Sequence, residues 1–116
     1  MNKKSFFKVS ILMTFFNEEK FIKKSLKSLI NQSFKNWEAV IIDDCSTDNS
    51  ADIIKKFKDQ RIKYFKLQQH KGRTSALNFG LQKCRGRFIS ILDADDFYFK
   101  NKLKKQIKLL KRDKEI

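Results

Sequence analysis

Proline is absent from the 116 residues of the chain, which also holds only three glycines, two cysteines and one histidine. No stretch is rich in proline or glycine, so nothing in the sequence is typical of a flexible linker between domains. Cys45 and Cys84 lie far apart and form neither a CxxC motif nor a cysteine–histidine cluster. We therefore expect one domain with free thiols, as is usual in the reducing cytoplasm.

Long apolar runs are also absent, since none approaches the roughly 20 residues that cross a bilayer as a helix. Residues 1–16 begin with basic and apolar side chains, as secretory signal peptides do. Lys8 interrupts this stretch, however, and Glu18 and Glu19 follow it where a cleavage site needs small residues. The sequence therefore predicts a cytoplasmic protein that is soluble or peripheral at the inner face of the membrane.

Acidic residues are in the minority, with 13 Asp and Glu against 27 Lys and Arg, which gives a net charge of +14. Such a charge favours anionic partners such as phosphorylated substrates, a membrane surface or nucleic acid, although it is equally typical of a lysine-rich proteome. The sequence contains no RNP, KH or zinc-finger pattern, so nucleic acid is not the expected partner. A basic module that binds nucleic acid or another anionic surface stays open as an alternative.

Apolar runs and helical periodicities alternate along the chain. The runs of strand length are Val9–Phe16, Trp37–Ile42, Arg61–Leu67 and Phe88–Leu92. The helical patterns lie at Phe21–Ile30, Thr74–Cys84 and Asn101–Arg112, and a further helix is marked by Ile53, Ile54 and Phe57 after the N-cap candidates Ser46–Asn49. This alternation predicts an α/β fold with a mostly parallel sheet and right-handed crossovers. In such sheets, ligands bind beyond the carboxyl ends of the strands.

Three polar clusters follow predicted strands, at Thr14–Glu18, Asp43–Asp48 and Asp93–Asp96. Because the carboxyl ends of parallel strands share one edge of a sheet, we expect these clusters to lie close together. The carboxylates of the last cluster suit a hard cation such as Mg²⁺ or Mn²⁺, or a solvated turn that caps a helix. Similarly, Asp44 can bind a nucleobase or cap the next helix, and Phe16 can stack on a base or belong to the core.

Three segments carry a resemblance to a known family. They read VSILMTFFNEEKFIKKSLKSLINQSF, WEAVIIDDCSTDNS and KGRTSALNFGLQKCRGRFISILDADD. From about Val9 to Leu110 the sequence resembles the family 2 glycosyltransferases, which have the GT-A nucleotide-sugar-binding fold. It departs from the family's pattern where Met13 replaces a proline, Phe16 a frequent tyrosine and Cys45 a frequent glycine.

The resemblance implies a binding site for a nucleotide-diphosphate sugar, with UDP as the expected nucleotide. Asp95 would coordinate Mn²⁺ or Mg²⁺ bridging the diphosphate, Asp93 would lie near the ribose, and Asp96 would start the next turn or support the site. Asp44 would hydrogen-bond the uracil. The other implied site residues are Thr14 and Phe16 against the uracil, Glu18 beside that pocket and Arg73 at the base or the phosphate.

The resemblance also implies what lies outside this sequence. Family members use a carboxylate base to activate a glycan or lipid-linked acceptor, often in cell-envelope polysaccharide synthesis, and that base is expected beyond Ile116. Asp113 and Glu115 do not match its motif. We therefore expect residues 1–116 to form the N-terminal, nucleotide-sugar-binding part of one domain without the acceptor half. A fragment, one piece of a split enzyme and a truncated, inactive remnant are the open alternatives.

The last predicted helix has an apolar stripe of Leu103, Ile107 and Leu110 among many lysines. Such a helix can lie on an anionic membrane surface as a peripheral contact. The alternative is that the stripe packs on the sheet and the lysines face water.

Overall fold

The computed structural model describes residues 8–114, with side chains for residues 8–110. The side chains of Asp113 and Glu115 lie outside this part of the chain. Strands and helices alternate as the sequence predicts. Their bounds are β1 Val9–Phe15, α1 Ile22–Ile30, β2 Trp37–Asp43, α2 Ser50–Lys55, β3 Ile62–Lys66, α3 Arg73–Lys83, β4 Phe88–Ile91 and α4 Lys102–Lys114.

The strands form one parallel sheet in the order β3-β2-β1-β4. β1 lies between β2 and β4, with Thr14 opposite Ile42 and Leu12 opposite Ile91. Helices cover both faces of the central strands, which explains why their sequences are continuous apolar runs rather than alternating patterns. All four strands end at the same edge, so the three polar clusters predicted from the sequence have a common location.

The two faces of the sheet carry different helices. On one face α1, α2 and α4 pack against the larger core cluster, which includes Ile11, Met13 and Trp37. On the other face α3 packs alone through Ala76 against Leu12, Val40 and Ile42. Both core clusters therefore include residues of β1 and β2, the two strands whose carboxyl ends carry the first two polar clusters.

The helix α3 approaches the sheet closely through a small residue. A Cβ added at Gly80 would lie 2.4 Å from Leu12 Cδ1, so the helix and the sheet fit only without a side chain there. The contact face contains Ala76 and Gly80, which are four residues apart and share one side of the helix. Leu81, on the same helix, points away from this contact and is 46% exposed.

The apolar stripe of α4 is part of the core. Leu103 and Ile107 are 1% and 7% exposed, and Leu110 packs against the same cluster. Because these side chains are buried in the core, they cannot also contact another apolar surface. Of the two alternatives for this helix, the structure favours packing on the sheet, and the stripe is not available as a membrane contact. Within residues 8–114, no helix is long and apolar enough to cross a bilayer.

Candidate functional site

A cleft of about 380 Å³ opens at the carboxyl edge of the sheet. The side chains that line it come from the ends of β1, β2 and β4 and from the start of α3. All seven site residues predicted from the sequence are among them: Thr14, Phe16, Glu18, Asp44, Arg73, Asp93 and Asp95. His70 and Gly72 also line the cleft, although neither is among the predicted site residues.

The loop after β1 is held by Asn17. Its backbone has a φ of 54°, a left-handed conformation in which asparagine is one of the commoner non-glycine residues. Its N–H donates to Ser46 Oγ at 2.8 Å, and its Oδ1 accepts from the Thr47 and Asp48 N–H groups at 2.8 and 3.2 Å. The side chain of Asn17 is thereby used to join two loops, and these bonds fix the position of the preceding Phe16.

Glu18 lies between these loops and the cleft. Its N–H donates to Ser50 Oγ at 3.0 Å, at the start of α2. Burial, and then the neighbouring Asp95 and Asp48 carboxylates, raise the pKa of Glu18 above its ordinary value. The side of the cleft formed by Glu18 and Asp95 is therefore rich in negative charge.

The two aspartates that end β2 have different surroundings. Asp43 is buried and accepts from the Ser46 N–H at 2.7 Å and from the Tyr64 hydroxyl at 2.5 Å, so it braces the turn from below. Burial and the hydrogen bond to Asp43 raise the pKa of Tyr64. Next to them Cys45 has a φ of 68°, a conformation that favours glycine and so accounts for the glycine expected there.

Asp44 holds the loop between β3 and α3. It is only 3% exposed, and its Oδ1 accepts from the Lys71 N–H at 2.9 Å. Its Oδ2 accepts from the Gly72 N–H at 2.8 Å and lies 2.9 Å from His70 Nδ1. Gly72 has a φ of 98°, which an amino acid with a side chain rarely adopts. One carboxylate at the end of β2 therefore fixes a loop more than twenty residues later.

Phe16 faces the cleft. It is 40% exposed, and its ring centroid lies 4.1 Å from that of His70, with the two planes at 42°. Phe16 is thus outside the core, which was the alternative left open by the sequence. Its position places an aromatic surface near the Asp44 carboxylate, with the His70 ring packed against it.

Arg73 and Asp93 face each other across the cleft. Arg73 is the first residue of α3, and its Nη2 lies 3.1 Å from Asp93 Oδ1. Both side chains are 60% exposed, so the pair is solvated and contributes little to stability. A polyanionic ligand can therefore take over the guanidinium at small cost.

The segment Asp93–Asp96 is anchored from below by α1. The Ser25 hydroxyl contacts the carbonyl of the buried Ala94 at 2.6 Å and also contacts the Asp96 carbonyl. With Ala94 held inward, Asp93 and Asp95 are exposed and line the cleft. The Asp96 carboxylate instead accepts from the next N–H, that of Phe97, at 2.8 Å. Asp96 lies outside the cleft lining and starts the following turn.

The residues present suit a cation that is shared with a ligand. Among residues 8–110, whose side chains the structure describes, no three Asp, Glu, His or Cys side chains are grouped as a complete metal site. Mg²⁺ usually binds one or two carboxylates together with substrate phosphates and water, rather than a cage of protein ligands. Exposed carboxylates at Asp93 and Asp95 meet that requirement, provided that the ligand supplies the other oxygens.

Solved structures of other proteins share this fold, and their names identify its class. TarS from Staphylococcus aureus, solved with UDP-GlcNAc, superimposes with a TM-score of 0.87 at 31% identity, over 90% of this chain and 31% of that one. A mannosyltransferase from Pyrobaculum calidifontis, solved with GDP-Man and Mn²⁺, superimposes with a TM-score of 0.74 at 22% identity, over 83% of this chain and 29% of that one. The fold is therefore the GT-A fold of glycosyltransferases.

The sequence gives the family. Residues 10–116 match the profile of glycosyl transferase family 2, and the chain belongs to that family. An Escherichia coli relative, UDP-Glc:alpha-D-GlcNAc-diphosphoundecaprenol beta-1,3-glucosyltransferase WfgD, is 40% identical over 102 residues, 88% of this chain and 40% of the relative. An uncharacterized Haemophilus influenzae glycosyltransferase is also 40% identical, over 88% of this chain and 42% of its own. The chain thus spans about two fifths of the length of these relatives.

Proposed function

We propose that this chain binds a nucleotide-diphosphate sugar, with UDP as the nucleotide, as the donor-binding part of a glycosyltransferase. The whole enzyme would transfer the sugar to a glycan or a lipid-linked acceptor. The observation that carries this proposal is the meeting, in one cleft, of Phe16, Asp44, Arg73 and Asp95 from four separate segments. Relatives support it, since TarS was solved with UDP-GlcNAc and WfgD is named for a lipid-linked acceptor.

Each group in the cleft matches a part of such a ligand. The exposed ring of Phe16 offers a stacking surface for a base, with Thr14 beside it in the same cleft lining. Asp44 is an acceptor for an imide N–H, because a carboxylate can take about four hydrogen bonds. Arg73 can bind phosphate oxygens with two parallel donors once it leaves Asp93. The base would thus lie at the β1 and β2 ends and the diphosphate towards β4.

A divalent cation completes the proposed site. Asp95 would hold Mn²⁺ or Mg²⁺, and Asp93 would lie beside the ribose. The Glu18 carboxylate would be a further negative charge next to Asp95. When bound, the ion neutralises charge on the diphosphate leaving group. The chain's own side chains orient the nucleotide and place its phosphates next to the carboxylates.

The strand β4 forms one edge of the sheet. Among residues 8–114 it pairs only with β1, and its Ile89 and Ile91 are 45% and 51% exposed. A groove of about 510 Å³ separates this edge from α4. The relatives carry more than half of their length outside the matched part. We propose that the acceptor half of the domain covers this edge and this groove.

An uncovered edge of this kind promotes association between copies of the chain. We expect the 116-residue chain to self-associate as its concentration rises, and the double substitution Ile89→Lys with Ile91→Lys to keep it monomeric. Sedimentation velocity measures both. Leu81→Lys is the control, because this equally exposed leucine lies on α3, away from the β4 edge. A wild-type chain that stays monomeric at all concentrations would argue against an open edge.

Asp44→Asn tests the base contact. The substitution keeps the shape of the side chain. However, it replaces one carboxylate oxygen, which accepts hydrogen bonds, by an amide NH₂ group, which cannot accept them from N–H donors. We expect the affinity for UDP to fall about 10- to 100-fold, the usual cost of losing hydrogen bonds to a charged group. The affinity for inorganic pyrophosphate with Mn²⁺ should fall much less, because pyrophosphate has no base and loses only part of the support for the loop before Arg73.

The matched control is Asp52→Asn, which removes one negative charge from an exposed position on α2. Isothermal titration calorimetry gives both affinities. Equal UDP affinity in the wild type and in Asp44→Asn would remove Asp44 from the base site.

A further inference from the structure

His70 contacts both groups to which the proposed function assigns the nucleobase. Its ring packs against Phe16 at 4.1 Å between centroids. Its Nδ1 lies 2.9 Å from Asp44 Oδ2 and 3.2 Å from the Asp44 carbonyl oxygen. Both neighbours of Nδ1 are hydrogen-bond acceptors, so this nitrogen carries a hydrogen and donates a hydrogen bond to Asp44. The imidazole thus makes the two kinds of contact that a pyrimidine base would make.

The Asp44 carboxylate has little capacity left for another donor. It already accepts from the N–H groups of Lys71 and Gly72 and from His70 Nδ1. Three of its roughly four acceptor positions are therefore taken. The two backbone donors belong to a loop that is held in place, whereas His70 donates from a side chain that is 55% exposed. Among these donors, His70 can leave with the smallest rearrangement.

The aromatic contact is equally exclusive. Ring centroids in stacked or edge-to-face aromatic pairs are usually about 4.5–7 Å apart. At 4.1 Å the rings of Phe16 and His70 are in direct contact, and no third ring fits between them. A base that packs on this side of Phe16 must take the place of the imidazole.

We propose that His70 occupies the base site of the ligand-free chain and is displaced when a nucleotide binds. It is a positioning residue, which keeps Phe16 and Asp44 in place but competes with the base for them. This inference rests on the proposed function and adds a residue that controls affinity at the same site. Its consequence is that removing the imidazole strengthens nucleotide binding rather than weakening it.

The experiment is a calorimetric titration of the full 116-residue chain with UDP and, separately, with inorganic pyrophosphate, both with Mn²⁺. We expect His70→Ala to bind UDP about three- to tenfold more tightly, because no hydrogen bond to Asp44 has to be broken first. Pyrophosphate affinity should not change, since His70 competes only with the base. His70→Phe, which keeps a ring but has no donor, should give an intermediate UDP affinity.

Gln69→Ala is the matched control, since it truncates the exposed neighbouring side chain in the same loop and should leave both affinities unchanged. Equal or weaker UDP binding by His70→Ala, in a chain whose wild type binds UDP, would overturn the role of His70 and leave the proposed function intact. If wild type and His70→Ala both ignore UDP and pyrophosphate while remaining folded by circular dichroism, the proposed function fails and this inference fails with it.

Discussion

Asp95→Ala should abolish Mn²⁺-dependent binding of UDP to this chain. The carboxylate is exposed in the cleft, and it is the group to which we assign the metal. Even the outer neighbours of a bound metal contribute roughly 10- to 100-fold to its affinity, so removal of a direct ligand should cost about 100-fold or more. Binding of UDP without metal should change little, because the contacts of the base are elsewhere.

Asp96→Ala is a closely matched control for this prediction. It removes the same charge from the adjacent position, but its carboxylate bonds to the Phe97 N–H and does not line the cleft. Calorimetry with and without Mn²⁺ should therefore separate the two variants. Equal loss in both would mean that general negative charge, and not a ligand at Asp95, accounts for the metal dependence.

Gly86→Ala should destabilise the fold more than Gly72→Ala, the substitution at the other glycine that lies outside a helix. An added Cβ would lie 2.5 Å from the Ser10 backbone nitrogen and 2.7 Å from the Val9 carbonyl carbon. Both atoms belong to β1, the strand between β2 and β4, which cannot shift without disturbing the sheet. We expect a loss of about 3 kcal/mol in the free energy of unfolding, at the upper end for overpacking.

A buried hydrogen-bond network adds to this cost. The Gly86 N–H donates to Ser10 Oγ at 2.7 Å, and Ser10 in turn donates to the fully buried Glu38 at 2.5 Å. Glu38 also accepts from the Arg85 N–H at 2.6 Å. Displacing the segment before β4 would leave these groups without partners, and buried polar groups that lose a partner are costly.

Gly72→Ala provides the comparison. No atom lies within 4 Å of the Cβ it would add, so the only cost is the φ of 98°. With a ψ of 168°, this conformation lies in a region that is essentially restricted to glycine, and the strain amounts to about 1–3 kcal/mol. Because Gly86→Ala adds the loss of buried hydrogen bonds to the overpacking, urea unfolding followed by circular dichroism should rank it as less stable than Gly72→Ala. The reverse order would show that the contact between residue 86 and β1 is looser than described.

Much of the fold follows from the sequence because its signals are local. The continuous apolar runs of β1 and β2 predict strands covered on both faces, and the alternation with helices predicts the parallel sheet. Helix bounds were less accurate. The start of α2 at Ser50 agrees with the cap candidates Ser46–Asn49, since Asn49 is the N-cap. The end was wrong, because Phe57 was expected to belong to the helix and α2 ends at Lys55.

The candidate site was likewise predictable only where the signal is local in the sequence. Its carboxylates could be predicted because they follow strands that end at one edge of the sheet. The sequence did not reveal the contacts between residues distant along the chain. Examples are the support of Ala94 by Ser25 and the contacts of His70 with Phe16 and Asp44. A single histidine in a polar loop gives no pattern, so only its position in space shows that it occupies the cleft.

The most direct test of the account is a calorimetric titration of the folded wild-type chain with UDP, with and without Mn²⁺. We expect measurable binding with Mn²⁺ and much weaker binding without it, because the proposed metal would join the diphosphate to the carboxylate of Asp95. A folded chain that gives no heat with UDP under either condition would contradict the assignment of the cleft as a nucleotide-sugar site.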